Sequence, residues 1–323
     1  MLEENATPRL RTLRTPADLV AAGLLAPEQL AEASDVAARY AIAVPPAMAA
    51  LITAPNDPLG LQFLPDITEL TIAAHELADP IADEALSPIP GIVHRYPDRV
   101  LLKPLLACPV YCRFCFRREQ VGPDGGVLSE AELEAAYDYI AARPQINEVI
   151  LTGGDPLILS PRRLAEILRR LEEIEHVELL RIHSRVPVAD PSFVTESLLS
   201  ALTIDKPLYI VVHANHAQEF STAATNALRS LTRLGLPLLG QSVLLAGVND
   251  TEDALAALWR TMLKNRIKPY YLHQLDAAPG TARFHVDPAR GRAILAALRG
   301  KISGTAFATY ILDRPGGLGK LPL

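Results

Sequence analysis

From Arg99 onward the chain repeats one pattern: a short run of Leu and β-branched residues, then an amphipathic stretch with helical spacing, then another apolar run. The runs cover residues 99–103, 148–152, 178–183, 208–213, 238–244 and 269–273, and the helical stretches cover 129–142, 161–174, 191–202, 221–234, 251–264 and 288–298. Ser129, with Glu132 three residues on, has the form of a capping box, in which each side chain accepts the other's backbone N–H. Strand, helix, strand repeated in this way predicts an α/β fold, a parallel sheet with helices outside it, because a parallel neighbour is reached only through a long crossover. Periodicity does not choose between an open doubly wound sheet and one curled toward a barrel. Both collect ligands at the carboxyl ends of their strands. Polar residues fall there: three cysteines after the first run, Gly153-Gly154-Asp155 after the second, Ser184-Arg185 after the third, and His213 to His216 after the fourth. Asn249-Asp250 follow the fifth run and Gln274 to Asp276 the sixth. One mouth is expected to carry the chemistry.

Residues 1–90 precede this pattern and read as an Ala-rich helical extension interrupted by prolines, with helices expected over 27–40 and 46–53. The acidic stretch 66–90 has no clear period and is expected to wrap the rest. The expected division is thus an extension over 1–90, a (β/α) core over 91–304, and a C-terminal strand with a lysine-bearing segment over 305–323. At 49% hydrophobic and 21% charged, the 323 residues have the composition of a globular protein. Thirty-one Lys and Arg against 37 Asp and Glu give −6, so no basic face for nucleic acid or an anionic membrane is expected. Residues 1–16 lack the apolar core of a signal peptide, and the apolar stretch 41–52 is short and broken by Pro45 and Pro46, so no membrane span is expected. A cytoplasmic location follows as the expectation.

The only cysteines are Cys108, Cys112 and Cys115. An odd number in one short loop cannot build a disulfide framework, and such spacing points to metal ligation. A structural zinc wants four protein ligands, and the nearest imidazole in sequence, His94, lies well before Cys108. Three thiolates on one loop instead suit three corners of a 4Fe-4S cluster, leaving the fourth iron open. CxxxCxxC after a first strand resembles the radical S-adenosylmethionine superfamily, in which the open iron binds the amino and carboxylate groups of S-adenosyl-L-methionine. The resemblance implies a partial (β/α)6 barrel. It also implies that Phe114 packs on the adenine and that Gly153, Gly154 and Asp155 belong to the loop that binds the methionine amino group.

The last residues read ILDRPGGLGKLPL. This run is similar to the PGGGGK motif of lysine 2,3-aminomutases, radical enzymes that also use pyridoxal 5'-phosphate, and a lysine amine on a glycine turn can form an imine with that aldehyde. The resemblance extends from about residue 90 to Lys320. It implies that Lys320 carries the cofactor, and that Arg95, Tyr96 and Arg99 of HRYPDRVLL hold its phosphate and ring, as a phosphate dianion requires fixed guanidinium partners. Arg117 corresponds to the arginine that pairs with the substrate carboxylate. His213, of an H-x-N-H run, and Gln241, of QSVLL, are implied to line the pocket of either small-molecule cofactor. Asp276, in YYLHQLD, and Asp313, seven residues before Lys320, correspond to the pair that binds the distal ammonium of L-lysine. Two carboxylates offset the desolvation of a buried ammonium and repel a glutamate side chain, so lysine is expected over glutamate. The implied reaction exchanges the α-amino group with a β-hydrogen, started by a 5'-deoxyadenosyl radical.

Clostridial-type relatives carry a C-terminal extension with further cysteines for a structural zinc. Here the sequence stops three residues after Lys320, and Thr251 stands where the upstream zinc cysteine would be, so no structural zinc is expected and the oligomer is left open. CRFCFRR, RIHSR and YYLHxLD also resemble the short branch that supplies β-lysine for modifying elongation factor P. Free β-lysine metabolism, that modification, a radical aminomutase for another amino acid and a non-catalytic iron–sulfur or zinc protein are the competing readings. An electron donor such as flavodoxin or ferredoxin is the implied protein partner.

Overall fold

Val100, Leu102, Val149, Leu151, Leu180 and Ile182 alternate along their strands and are at most 1% exposed, so one face of each strand is sealed by apolar packing. In the computed structural model, which describes residues 11–314 and 319–323, these strands belong to a single sheet whose order follows the sequence. The strands are β1 (Ile92–Tyr96), β2 (Arg99–Leu105), β3 (Glu148–Gly153), β4 (Leu179–Ser184), β5 (Leu208–His213), β6 (Leu238–Leu244), β7 (Ile267–Gln274), β8 (Thr309–Leu312) and β9 (Leu321–Pro322). From β2 to β8 all pairings are parallel; β1 with β2 and β8 with β9 are antiparallel. Residues 1–10 and residues 315–318 of the glycine-rich run lie outside the described residues.

Helices Glu130–Ala141, Pro161–Glu172, Glu196–Ala201, Thr222–Arg233, Glu252–Lys264 and Pro288–Leu298 carry the chain between parallel strands. Ser129 caps the first as its sequence predicts, the Ser129 and Glu132 side chains each accepting the other's backbone N–H. Leu164, Ile167, Leu168 and Leu171 put the apolar stripe of the second into the same core as Leu151 and Leu180. Every strand from β2 to β7 also contributes residues to one cavity on the opposite face. A flat sheet with helices on both faces leaves no such space. The sheet is therefore curled into a partial barrel, and no pairing joins β1 to β9 among the described residues.

In the extension the helix expected over 27–40 is a 3-10 turn, Pro27–Gln29, followed by Leu30–Ala37, and the one over 46–53 covers only Pro46–Ala49; the barrel departs from the sequence expectation in two further elements. The helix expected over 191–202 is broken: a 3-10 turn, Pro191–Phe193, ends, and Thr195 restarts the chain by capping Glu196–Ala201 through its side-chain oxygen. The second departure is β1, an antiparallel hairpin partner of β2 that no apolar run announces.

Residues before β1 pack on the barrel mouth. Helices Pro16–Ala21, Leu30–Ala37, Pro46–Ala49 and Gly60–Phe63 bring Leu19, Val44, Met48, Leu59 and Phe63 together with Val110 of the cysteine loop. Glu69, fully buried, accepts from Arg113 Nε at 2.9 Å and also pairs with Arg118 and Arg283. Glu76 accepts the backbone N–H groups of Gly280, Thr281 and Ala282 at 2.8–3.0 Å. The extension thereby fastens the loop after β2 to the loop after β7.

Candidate active site

The cavity inside the barrel has a volume of about 920 Å³, and every residue given a role by the family resemblance lines it, whereas His216, Asn249, Asp250 and Gln274 of the strand-end loops do not. At its mouth the three free cysteines sit on the loop after β2. Gly153, at φ +113°, and Gly154 let the loop after β3 press against that loop's start; a Cβ on Gly154 would lie 2.0 Å from the carbonyl oxygen of Ala107. Two backbone bonds hold the approach, Gly154 N–H to Leu105 at 2.9 Å and Asp155 N–H to Ala107 at 2.9 Å. The buried carboxylate of Asp155 accepts from the Ser184 hydroxyl at 2.7 Å and from the N–H groups of Arg185, Val186 and Leu157 at 2.7–3.1 Å. It thus clamps the loops after β3 and β4.

Arg185 donates to Cys112 Sγ at 3.0 Å and is itself held by Gln62 at 2.7 Å and Glu219 at 2.9 Å. Burial pushes all three thiols up, Cys115 to about 11, so the metal-free cysteines are protonated and metal loading must release protons. Among the described residues no group of three or more His, Cys, Asp or Glu side chains is arranged to hold a single metal ion. Three thiols on one loop can each take a separate iron of a cluster. Phe114 meets Phe284 edge to face, with ring centroids 6.1 Å apart.

Deeper in the cavity, Asp313 joins two predicted cofactor residues, accepting from Lys320 Nζ at 2.6 Å and from Arg95. Gly319, at φ +110°, lies against Tyr96, where a Cβ would come within 2.5 Å of the ring. The Tyr96 hydroxyl accepts the N–H of Lys320 at 3.1 Å, and the Arg99 guanidinium lies 3.8 Å from the centre of the Tyr96 ring. Arg117 is paired with Asp83 at 2.6 Å. Asp276 is different: its Oδ1 is buried and has no partner among the described residues. Burial, and then the neighbouring Asp313 carboxylate, push its pKa up to about 7.

Three histidines that line the cavity, His183, His213 and His273, each leave Nε2 buried and without a partner among the described residues. Burial lowers all three pKa values, His213 to about 3, so the imidazoles are neutral. His183 and His213 meet edge to face with centroids 5.6 Å apart. Sequence reasoning singled out His213 and passed over His183, His273, Arg181 and Tyr271. Their signal was available: Arg181 with His183, and Tyr271 with His273, are two residues apart in strands whose alternate positions are apolar, so they face the barrel interior. Asp83 carried no comparable signal.

A curled parallel sheet with three thiols on its first crossover loop, over an internal cavity, is the architecture of the radical SAM superfamily, whose sequence profile matches residues 102–258. An L-lysine 2,3-aminomutase of Acetoanaerobium sticklandii is 42% identical over 83% of the chain, which spans 65% of that relative's length. An L-lysine 2,3-aminomutase of Escherichia coli is 37% identical, with 83% of this chain matching 78% of the relative. A glutamate 2,3-aminomutase of Clostridioides difficile is also 37% identical, over 83% of the chain and 63% of the relative. Within the superfamily, the chain belongs to the lysine 2,3-aminomutase family. No helix among its described residues is long and apolar enough to cross a membrane.

Proposed function

We propose that the chain is a lysine 2,3-aminomutase, which interconverts L-α-lysine and β-lysine by moving an amino group between neighbouring carbons. The observation that carries this reading is Oδ1 of Asp276, which has no partner among the described residues and is buried in the cavity beside a second carboxylate, Asp313. A buried acceptor without a donor calls for one, and two carboxylates together call for a cation. The distal ammonium of lysine supplies it, whereas a glutamate side chain would add a third carboxylate.

The donor sets fit three cofactors. Cys108, Cys112 and Cys115 would hold a 4Fe-4S cluster; Phe114, Gly153 and Gly154 would border S-adenosyl-L-methionine, with Asp155 bracing the glycine loop, and His213 and Gln241 would line the pocket of that group or of pyridoxal 5'-phosphate. Lys320, Arg95, Tyr96 and Arg99 would hold pyridoxal 5'-phosphate, and Arg117 the substrate carboxylate. When bound, these groups supply a radical that removes and returns a hydrogen atom, and a conjugated system through which nitrogen migrates. The chain's own part is placement and exclusion of water. Asp313 holds Lys320 and Arg95 together, so an arriving ammonium competes with both for its oxygens. Neutral His183, His213 and His273 give the middle of the cavity polar walls without charge. A small donor protein such as flavodoxin or ferredoxin would deliver the electron.

A second reading, in which the product serves modification of elongation factor P, is supported by the CRFCFRR, RIHSR and YYLHQLD runs, which resemble that branch. An unchanged mass of that factor in a strain lacking this protein would count against it.

The direct test is anaerobic incubation of the reconstituted protein with dithionite, S-adenosyl-L-methionine and either lysine or glutamate. β-Lysine is the expected product; turnover of glutamate alone would overturn the substrate assignment. Lys320→Ala is expected to lose the visible absorption band of bound pyridoxal 5'-phosphate, and a band that persists in this variant would remove Lys320 from its role.

A further inference from the structure

Residues 79–87, in the extension before β1, touch two arginines of the cavity. Asp83 Oδ2 accepts from Arg117 Nε at 2.6 Å and lies 2.6 Å from Nη2 in the same ion pair. The carbonyl of Ile81 accepts from Arg95 Nη2 at 2.8 Å. Between these contacts Ala82 takes a left-handed conformation, φ 59°, which a residue with a Cβ adopts only when its surroundings impose it. The loop fixes itself: the Asp79 carboxylate accepts the N–H groups of Asp83 and Glu84 at 2.8 Å, and the Ser87 hydroxyl donates to the Asp83 carbonyl at 2.7 Å. The Asp83 and Arg117 side chains are only 5% and 9% exposed, so neither solvent nor salt weakens the pair much.

A guanidinium has two edges that can each grip an anion. Asp83 takes the Nε–Nη2 edge, and Nη1 has no protein partner among the described residues. We propose that Asp83 is a positioning residue for the substrate: by holding one edge of Arg117 it presents the other edge to an α-amino-acid carboxylate in the cavity. This deepens, and rests on, the aminomutase reading. It also makes the extension part of the substrate site, because one loop orients the arginine meant for the carboxylate and the arginine meant for the cofactor phosphate.

The test is calorimetric titration of the reconstituted holoenzyme, without S-adenosyl-L-methionine so that nothing turns over, using L-lysine and its decarboxylated analogue 1,5-diaminopentane. Asp83→Ala is expected to weaken lysine binding by about tenfold or more and to leave the diamine unchanged, since only lysine has the carboxylate. Arg117→Ala should do the same, and the double variant should bind lysine no worse than Arg117→Ala alone, because Asp83 acts through Arg117. Asp83→Glu should recover part of the loss. Should Asp83→Ala not fold, Asp83→Asn, which keeps the shape but not the charge, provides the comparison. Unchanged or tighter lysine binding in the Asp83 variants, or equal weakening of both ligands, overturns the proposal while the lysine reading stands. If the wild type binds another α-amino acid instead of lysine, the substrate reading fails, and the same variants titrated with that amino acid and its decarboxylated amine decide on Asp83. A wild type that binds no amino acid overturns both.

Discussion

Asp276 sits in the cavity as a carboxyl group that the empty protein keeps partly protonated near neutrality. Its pKa is raised from 3.8 to about 7 by burial and by Asp313, so below that pH it is neutral and cannot balance an ammonium. Apparent kcat/KM for lysine should therefore fall as the pH drops below about 7, approaching tenfold per unit, and Asp276→Asn should abolish that dependence while lowering kcat/KM above pH 7. The same shift sets a stability trend. A carboxyl with a folded-state pKa above its unfolded value contributes stability that is fully present below about 3.8 and is lost as the pH rises through 7. In thermal melts without substrate, Asp276→Asn should unfold at a higher temperature than wild type at pH 8, the gain vanishing near pH 4. Asp276, Asp313 and Lys320 could be singled out from the sequence because their motifs and seven-residue spacing are local. Asp83 could not, because its significance is a contact with Arg117, 34 residues away and on another element. Nor could sequence disclose that Asp313 bridges Lys320 and Arg95.

Among the elements, those with strong periodicity are the ones the sequence predicts well: the runs 208–213 and 238–244 coincide with β5 and β6, and 288–298 with its helix. Most of the other runs agree within a few residues, and local chemistry overrides periodicity at particular points. Thr195 restarts a helix that the apolar pattern treats as continuous, and the IVHRY run of β1 is too short and polar to announce a strand. The loop after β3 gives this scale its own prediction. Gly154 is packed so closely on Ala107 that Gly154→Ala must push the glycine loop and the cysteine loop apart, at a loss of roughly 1–3 kcal/mol. The displaced loop carries Cys108, so iron bound per chain after reconstitution should drop together with the unfolding midpoint. Iron content equal to wild type would mean that the cysteine loop tolerates the shift.

At the scale of the whole molecule, the extension and the barrel are joined by buried charge. Arg113, Arg118 and Arg283 converge on Glu69, so Glu69→Gln leaves guanidinium groups without their counter-charge and should destabilise the protein by roughly 3–5 kcal/mol in denaturant unfolding. Because Arg113 lies between Cys112 and Cys115, the loss should also loosen the cysteine loop, visible as faster loss of iron to a chelator. The sheet, whose strands are ordered as they are translated, has one more consequence. Chains fold from the N-terminal side as they leave the ribosome. The cysteine loop lies between β2 and β3 and is translated early, whereas Lys320 reaches its place only when β9 pairs back onto β8. Synthesis therefore separates the two ends of the cavity in time: a nascent chain stalled before β8 already contains all three thiols, but not Lys320.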